Sequence, residues 1–173
     1  TCDALLGAAS REKALAIMKD SRIGTYGAAA LGLVLLLRVL LAAALLSQGV
    51  WAAAAALVAS HAAGRALAVT LMGTLPYAGE QAQAKTHALT RDASAADVAW
   101  AVASSALLLG GAVVLQPAPW LSGSIAAVLF LLLFTGLRTM LHRRLQGYTG
   151  DTLGAAEQLG EVAVLLAMAA SLR

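Results

Sequence analysis

The residues with the clearest capacity for chemistry lie in one stretch near the C-terminus, Gly147-Tyr148-Thr149-Gly150-Asp151-Thr152-Leu153-Gly154-Ala155-Ala156-Glu157-Gln158-Leu159-Gly160-Glu161. A polar, glycine-rich turn runs into an apolar helix and carries two glutamates into it. On a helix, residues three and four apart share a face, so positions 150, 154, 157 and 161 line up as Gly, Gly, Glu and Glu. Ionised carboxylates inside a membrane span are costly and mark function by default. Glycines on that face leave room for a ligand or a close partner helix. Asp151, Glu157 and Glu161 are therefore the candidate catalytic residues. Asp151 with Thr149 and Gly150 suits a divalent cation on a phosphate, because Mg²⁺ takes one or two carboxylates, waters and substrate oxygens. The plain alternative is that Asp151 merely favours a helix N-terminus and that the glutamates pair with intramembrane arginines.

A second constellation spans Met18 to Gly27. Lys19 and Arg22 supply charge for phosphate oxygens, and Asp20, Ser21 and Thr25 add polar groups. Gly24 and Gly27 let backbone N–H groups approach an anion at the start of the next helix. A basic interfacial helix gripping lipid headgroups would need much the same composition. Three further groups sit in apolar runs: Arg38, His61 and Arg65. Neither arginine should face lipid. Arg38 reads as a partner for Glu157, Glu161 or a backbone carbonyl, Arg65 equally as a phosphate ligand, and His61 as a packed polar group, since no second His or Cys stands near it for zinc.

These groups need elements to hold them. The chain is 60% hydrophobic and 12% charged, with a mean hydropathy of +0.79; a soluble domain carries ~25% charged residues. It is a polytopic, all-α membrane protein. The formal charge of +3 sits in a few connections, which suits a membrane surface and an anionic substrate and not nucleic acid. The single cysteine, Cys2, excludes an internal disulfide. Ser10 reads as the N-cap of an amphipathic interfacial helix from Arg11 to Arg22 that Gly24 stops. Five apolar runs follow, each near the ~20 residues that cross the hydrocarbon: about Tyr26–Leu46, Val50–Met72, Ala95–Leu115, Leu121–Met140 and Leu153–Leu172. Residues 10–25, the connection with Lys85 and Arg91, and the connection with Arg138, Arg143 and Arg144 carry the positive charge. The other two connections carry none. The positive-inside rule puts the basic set, and all the candidate chemistry with it, on the cytoplasmic face.

Unaided, this chemistry fits metal-assisted work on a phosphate at the membrane. It fits equally a transporter or permease subunit with an intramembrane carboxylate site. Two runs then point further. Arg-Glu-Lys-Ala-Leu-Ala-Ile-Met-Lys-Asp-Ser-Arg-Ile-Gly-Thr-Tyr-Gly (11–27) and Gly-Tyr-Thr-Gly-Asp-Thr-Leu-Gly-Ala-Ala-Glu-Gln-Leu-Gly-Glu (147–161) closely resemble the cobalamin synthase family, the adenosylcobinamide-GDP ribazoletransferases. Leu75-Pro76-Tyr77-Ala78 after the Arg65 span fits that family too. The family's His-x-Asp-Gly-x-x-Asp-Thr-x-Asp run is represented only by its end, Thr1-Cys2-Asp3. The loop after Tyr77 lacks the Gly-Leu-Gly expected of the family.

The resemblance implies an N-terminally incomplete member, with residues 1–173 a single integral-membrane domain from the C-terminal part of a longer enzyme of the bacterial inner membrane. It implies that α-ribazole, or its 5′-phosphate, attacks adenosylcobinamide-GDP with Mg²⁺ present, that GMP leaves, and that adenosylcobalamin or its phosphate forms. It adds Asp3 as a metal ligand beside Asp151. Lys19, Asp20, Ser21, Arg22, Gly24, Arg65, Thr149 and Gly150 become the substrate-binding set. The lipid bilayer is a partner, and the reading leaves room for a homo-oligomer. A CDP-alcohol phosphotransferase would need several aspartates on one helix, and that signature is missing.

Overall fold

The computed structural model describes residues 1–8, 10–79 and 93–171, and all of the regular structure among them is helical. The helices are α1 (Cys2–Gly7), α2 (Arg11–Lys19), α3 (Thr25–Leu46), α4 (Val50–Met72), α5 (Ala95–Val114), α6 (Pro119–Leu145) and α7 (Gly150–Ala169). Helices α3 to α7 are each long and apolar enough to span a bilayer. Lys85 and Arg91, used above for orientation, and the loop that departs from the family pattern from residue 80 onward lie outside the described residues.

Boundaries moved where hydropathy and helicity part company. Helix α6 continues past Met140 to Leu145 and carries His142, Arg143 and Arg144 in its last turn. These residues leave the hydrocarbon but favour the negative end of the helix dipole, so the helix outlasts the apolar run. It ends in left-handed geometry at Gln146, φ 57°. Helix α2 begins at the expected cap, with Ser10 Oγ accepting from the Lys13 N–H at 3.2 Å. It stops at Lys19, before Arg22, because Asp20 takes extended geometry. Residues 2–7 form the short helix α1, with Ala4 and Leu5 buried.

Helix α4 is the centre of the bundle, packed against α5 on one side and α7 on the other. Its buried side is mostly alanine, including Ala52, Ala56, Ala59, Ala63 and Ala66. Small residues let helix backbones approach, and in lipid that close packing replaces the hydrophobic drive. Glycines on both helices permit this approach. A Cβ on Gly160 would stand 3.0 Å from the Gly64 Cα, and one on Gly64 would stand 2.7 Å from the Glu157 carbonyl oxygen. Gly150 and Gly154, expected to leave room for a ligand or a close partner helix, both meet open space. The packing glycine is Gly160.

The two N-terminal helices are tied to the same end of the bundle. Arg11 donates to the carbonyls of Leu145 (2.7 Å) and Ala78 (3.3 Å), and Arg144 donates to that of Ala8 (3.1 Å). Tyr77 and Tyr148 form an isolated parallel bridge. The Ala78 N–H donates to the Tyr148 carbonyl at 2.8 Å, and the Tyr148 N–H to that of Pro76 at 2.9 Å. The two rings meet edge to face, 5.6 Å apart. Gly147 is required here: a Cβ would overlap the Pro76 carbonyl.

Candidate functional site

At this end of the bundle the start of α7 meets the end of α2. Thr149 caps α7: its Oγ1 accepts from the Thr152 N–H at 3.3 Å, and the Thr152 Oγ1 accepts from the Thr149 N–H at 2.9 Å. That reciprocal cap leaves the N–H groups of Gly150 and Asp151 at the positive end of a 20-residue helix. A cavity of about 290 Å³ opens over them, lined by Lys19, Thr149, Gly150, Asp151, Tyr77 and Gly79. So Lys19 and Asp151, 132 positions apart by subtraction of their numbers, face one space. The Asp151 carboxylate is exposed, and no hydrogen bond or ion pair joins it to a described residue. Thr149 is buried and serves as a cap, with its hydroxyl also 3.6 Å from the Met18 sulfur. Its side chain, expected to meet substrate, serves as the helix cap while lining the cavity.

A second cavity, about 430 Å³, adjoins the first across Met18, which lines both. Its polar end holds Thr1, Asp3, Asp20, Ser21 and Arg22. Asp20 and Arg22, expected to contact substrate, hold each other. Arg22 Nε and NH2 donate to the Asp20 carboxylate at 3.0 and 2.7 Å, and the Arg22 backbone N–H adds a bond at 3.0 Å. These bonds from the Arg22 side chain, then its backbone, hold the Asp20 carboxyl down at about 2 and raise the Arg22 guanidinium. The pair is largely exposed, so a phosphate can exchange for Asp20 at little cost.

Gly24 and Gly27 do bind an anion, and it belongs to the protein. Their N–H groups donate to the two Asp3 oxygens at 2.9 and 3.0 Å, seating Asp3 at the N-terminus of α3. A Cβ on either glycine would overlap the carboxylate. The Gly27 N–H foremost, with that of Gly24, lowers the Asp3 carboxyl below its ordinary value. Thr1 Oγ1 donates to the Asp151 carbonyl at 3.0 Å, so the Asp3 segment touches the start of α7. Among the described residues no three Asp, Glu, His or Cys side chains gather as a metal cage. The donor set is the open Asp151 carboxylate with Asp3 nearby in sequence to its Thr1 contact. It fits Mg²⁺ only if phosphate oxygens and water supply most of the shell.

The glutamates part company. Glu161 is 4% exposed and sits about 15 Å up α7 from Asp151, ten residues at 1.5 Å each. Its carboxylate meets Arg38 NH2 at 2.5 Å and His61 Nδ1 at 3.0 Å. Gln158 completes the group: its Oε1 accepts from Arg38 NH1, and its Nε2 lies 3.4 Å from Glu161 Oε1. Glu161 therefore sits in a charge network with Arg38 and His61 and lines neither cavity. Glu157 is part-exposed and lines neither cavity. Arg65, exposed on α4, lines neither cavity and has no partner among the described residues. Thr1 and Gln158 line the larger cavity without having been singled out from sequence; only their types, a hydroxyl and a membrane-depth amide, could have flagged them.

A family model described as cobalamin-5-phosphate synthase matches residues 1–169. Curated relatives named adenosylcobinamide-GDP ribazoletransferase include that of Leptothrix cholodnii, 43% identical, with 96% of this chain and 62% of the relative covered. That of Shewanella frigidimarina is 38% identical, covering 98% and 63%. That of Klebsiella pneumoniae subsp. pneumoniae is 39% identical, covering 97% and 65%. The chain thus spans less than two thirds of the length of these relatives. No solved structure matches it.

Proposed function

The chain belongs to the cobalamin-5-phosphate synthase family, and from that premise we propose that it carries part of the reaction site of an adenosylcobinamide-GDP ribazoletransferase. α-Ribazole, or its 5′-phosphate, would be joined to adenosylcobinamide-GDP with release of GMP. A hydroxyl oxygen forms a bond to the cobinamide-side phosphorus and gives its proton to solvent, the bond to the bridging oxygen breaks, and that oxygen leaves on GMP. The permease reading is not favoured by the relatives' names. The observation that carries the proposal is the shared cavity of Lys19 and Asp151 at the start of α7.

Transfer at phosphorus needs positioning and charge neutralisation more than covalent help. The Gly150 and Asp151 N–H groups and the Lys19 ammonium meet the diphosphate. Ser21 and Arg22 stand in the adjoining cavity for a second anionic group. Mg²⁺ would be held by Asp151, with Asp3 adding an outer contact, and would supply charge neutralisation on the leaving phosphate. Arg11, Lys13, Lys19, Arg143 and Arg144 gather at this end of the bundle, which supports a cytoplasmic active face in a bacterial inner membrane.

The test is GMP release by membranes carrying the protein at the length of its relatives. Asp151→Asn should abolish turnover while leaving the protein level unchanged. Near-normal GMP release by that variant overturns the assignment.

A further inference from the structure

The larger cavity is two-ended. From the polar end it runs inward between α3 and α7, where its wall is apolar: Ala30, Leu31, Val34 and Leu35 on α3, Ala155 and Leu159 on α7. One polar side chain interrupts the deep wall, Gln158, about 12 Å along α7 from its start by helical rise. The orientation of its amide is forced by chemistry. Arg38 only donates and Glu161 only accepts, so the Gln158 oxygen must face Arg38 and the nitrogen Glu161. One N–H is then engaged, weakly at 3.4 Å, and among the described residues no partner meets the other, which is available to whatever fills the cavity. The buried ion pair thus presents a fixed hydrogen-bond donor inside an apolar slot.

Resting on the function proposed above, we propose that this slot receives the base of the riboside substrate and that Gln158 reads it. A benzimidazole riboside has a flat, apolar bicyclic base with one ring nitrogen bonded to the sugar and the other bare, an acceptor without a proton. That is the complement of an apolar slot with one donor. The sugar then lies at the polar end, toward Asp3 and the start of α7, where its hydroxyl is needed. At about 430 Å³ the space is near the lower end of the ~300–1,000 Å³ of small-molecule sites, which admits a nucleoside and excludes a corrin ring. An acyl chain would fit the apolar wall but leaves the Gln158 N–H without an acceptor, which is unfavourable at membrane depth.

The experiment uses the chain in lipid nanodiscs, titrated with radiolabelled α-ribazole and with the matching indole riboside, whose bare ring nitrogen is replaced by C–H. Gln158→Leu should weaken α-ribazole about tenfold, the size of one net hydrogen bond, and leave the indole riboside unchanged. Val34→Trp, at a part-exposed position that tolerates bulk, should abolish binding of both. Equal weakening of both ribosides by Gln158→Leu, unaltered binding by Val34→Trp, or no riboside binding at all overturns the proposal. So does a photocrosslinker at Val34 that captures phospholipid undisplaced by α-ribazole. Failure of the transferase reading shows separately, as absent GMP release with riboside binding still sensitive to both substitutions.

Discussion

Removing one partner of the Arg38–Glu161 pair should be among the most damaging single changes in this bundle, and removing both should not. The Glu161 side chain is 6% exposed and that of Arg38 25% exposed, so neither is bathed in water and screening is slight. Truncating one member of such a pair costs about 3–5 kcal/mol, because the survivor is left charged and uncompensated. At 1.4 kcal/mol per tenfold, Glu161→Leu should lower the folded-to-unfolded ratio by roughly a hundredfold to a few thousandfold. Arg38→Leu with Glu161→Leu should lie within about 1–2 kcal/mol of the parent, since apolar replacement of both ions is often neutral. The coupling energy of the cycle is then at least ~4 kcal/mol in magnitude, well above the threshold for residues acting as one unit. The assay is pulse proteolysis of the purified chain along a dodecyl sulfate titration. If Glu161→Leu falls within about 1 kcal/mol of the parent, or the two losses simply add, the view of Glu161 as a structural anion is refuted.

Three more outcomes follow from the geometry. Gly27→Ala places a methyl on the Asp3 carboxylate and should expose residues 1–8 to limited proteolysis, whereas Gly111→Ala, which meets open space, should not. The Asp3 carboxyl is lowered from 3.8, so its grip on Gly24 and Gly27 is fully present above that value and lost only as pH falls through the lower native one; amide exchange of Gly27 should stay slow at pH 5 and speed up only in stronger acid. Gly64→Val should separate α4 from α7 and cost several kcal/mol, about the size of a severe overpacking, read as loss of folded chain in the same dodecyl sulfate titration.

Much of the architecture was legible because a bilayer imposes a length scale. A run of about twenty apolar residues between charged or glycine-marked turns has one economical fate, and the starts of α3, α4 and α5 fell where the composition changed. What hydropathy could not see was helix continuing into water, as α6 does through His142 to Leu145. The site was half legible. Lys19, Gly150 and Asp151 were named from residue type and do share a cavity. The anion held by Gly24 and Gly27 was expected from the glycines, but its identity as Asp3 depends on a chain reversal of more than twenty residues, which no local pattern encodes. Arg11 on the Leu145 carbonyl was hidden for the same reason. A side chain that serves a distant backbone oxygen leaves no period in the sequence. The two glutamates looked alike because spacing shows which face they share, not how far each lies from the membrane edge.

Helix α3 is attached to its neighbours in an unusual way. Leu45 is its one buried residue among those described. Apart from that end, it is held at its first turn by Asp3 and near its middle by Arg38 on Glu161 and Gln158. Two polar clasps thus do the work that an apolar seam does for α4. Such a seam is spread over many small contacts, whereas each clasp rests on a single carboxylate. Opening either clasp would therefore free that stretch of α3 and leave Leu45 as its anchor at the far end.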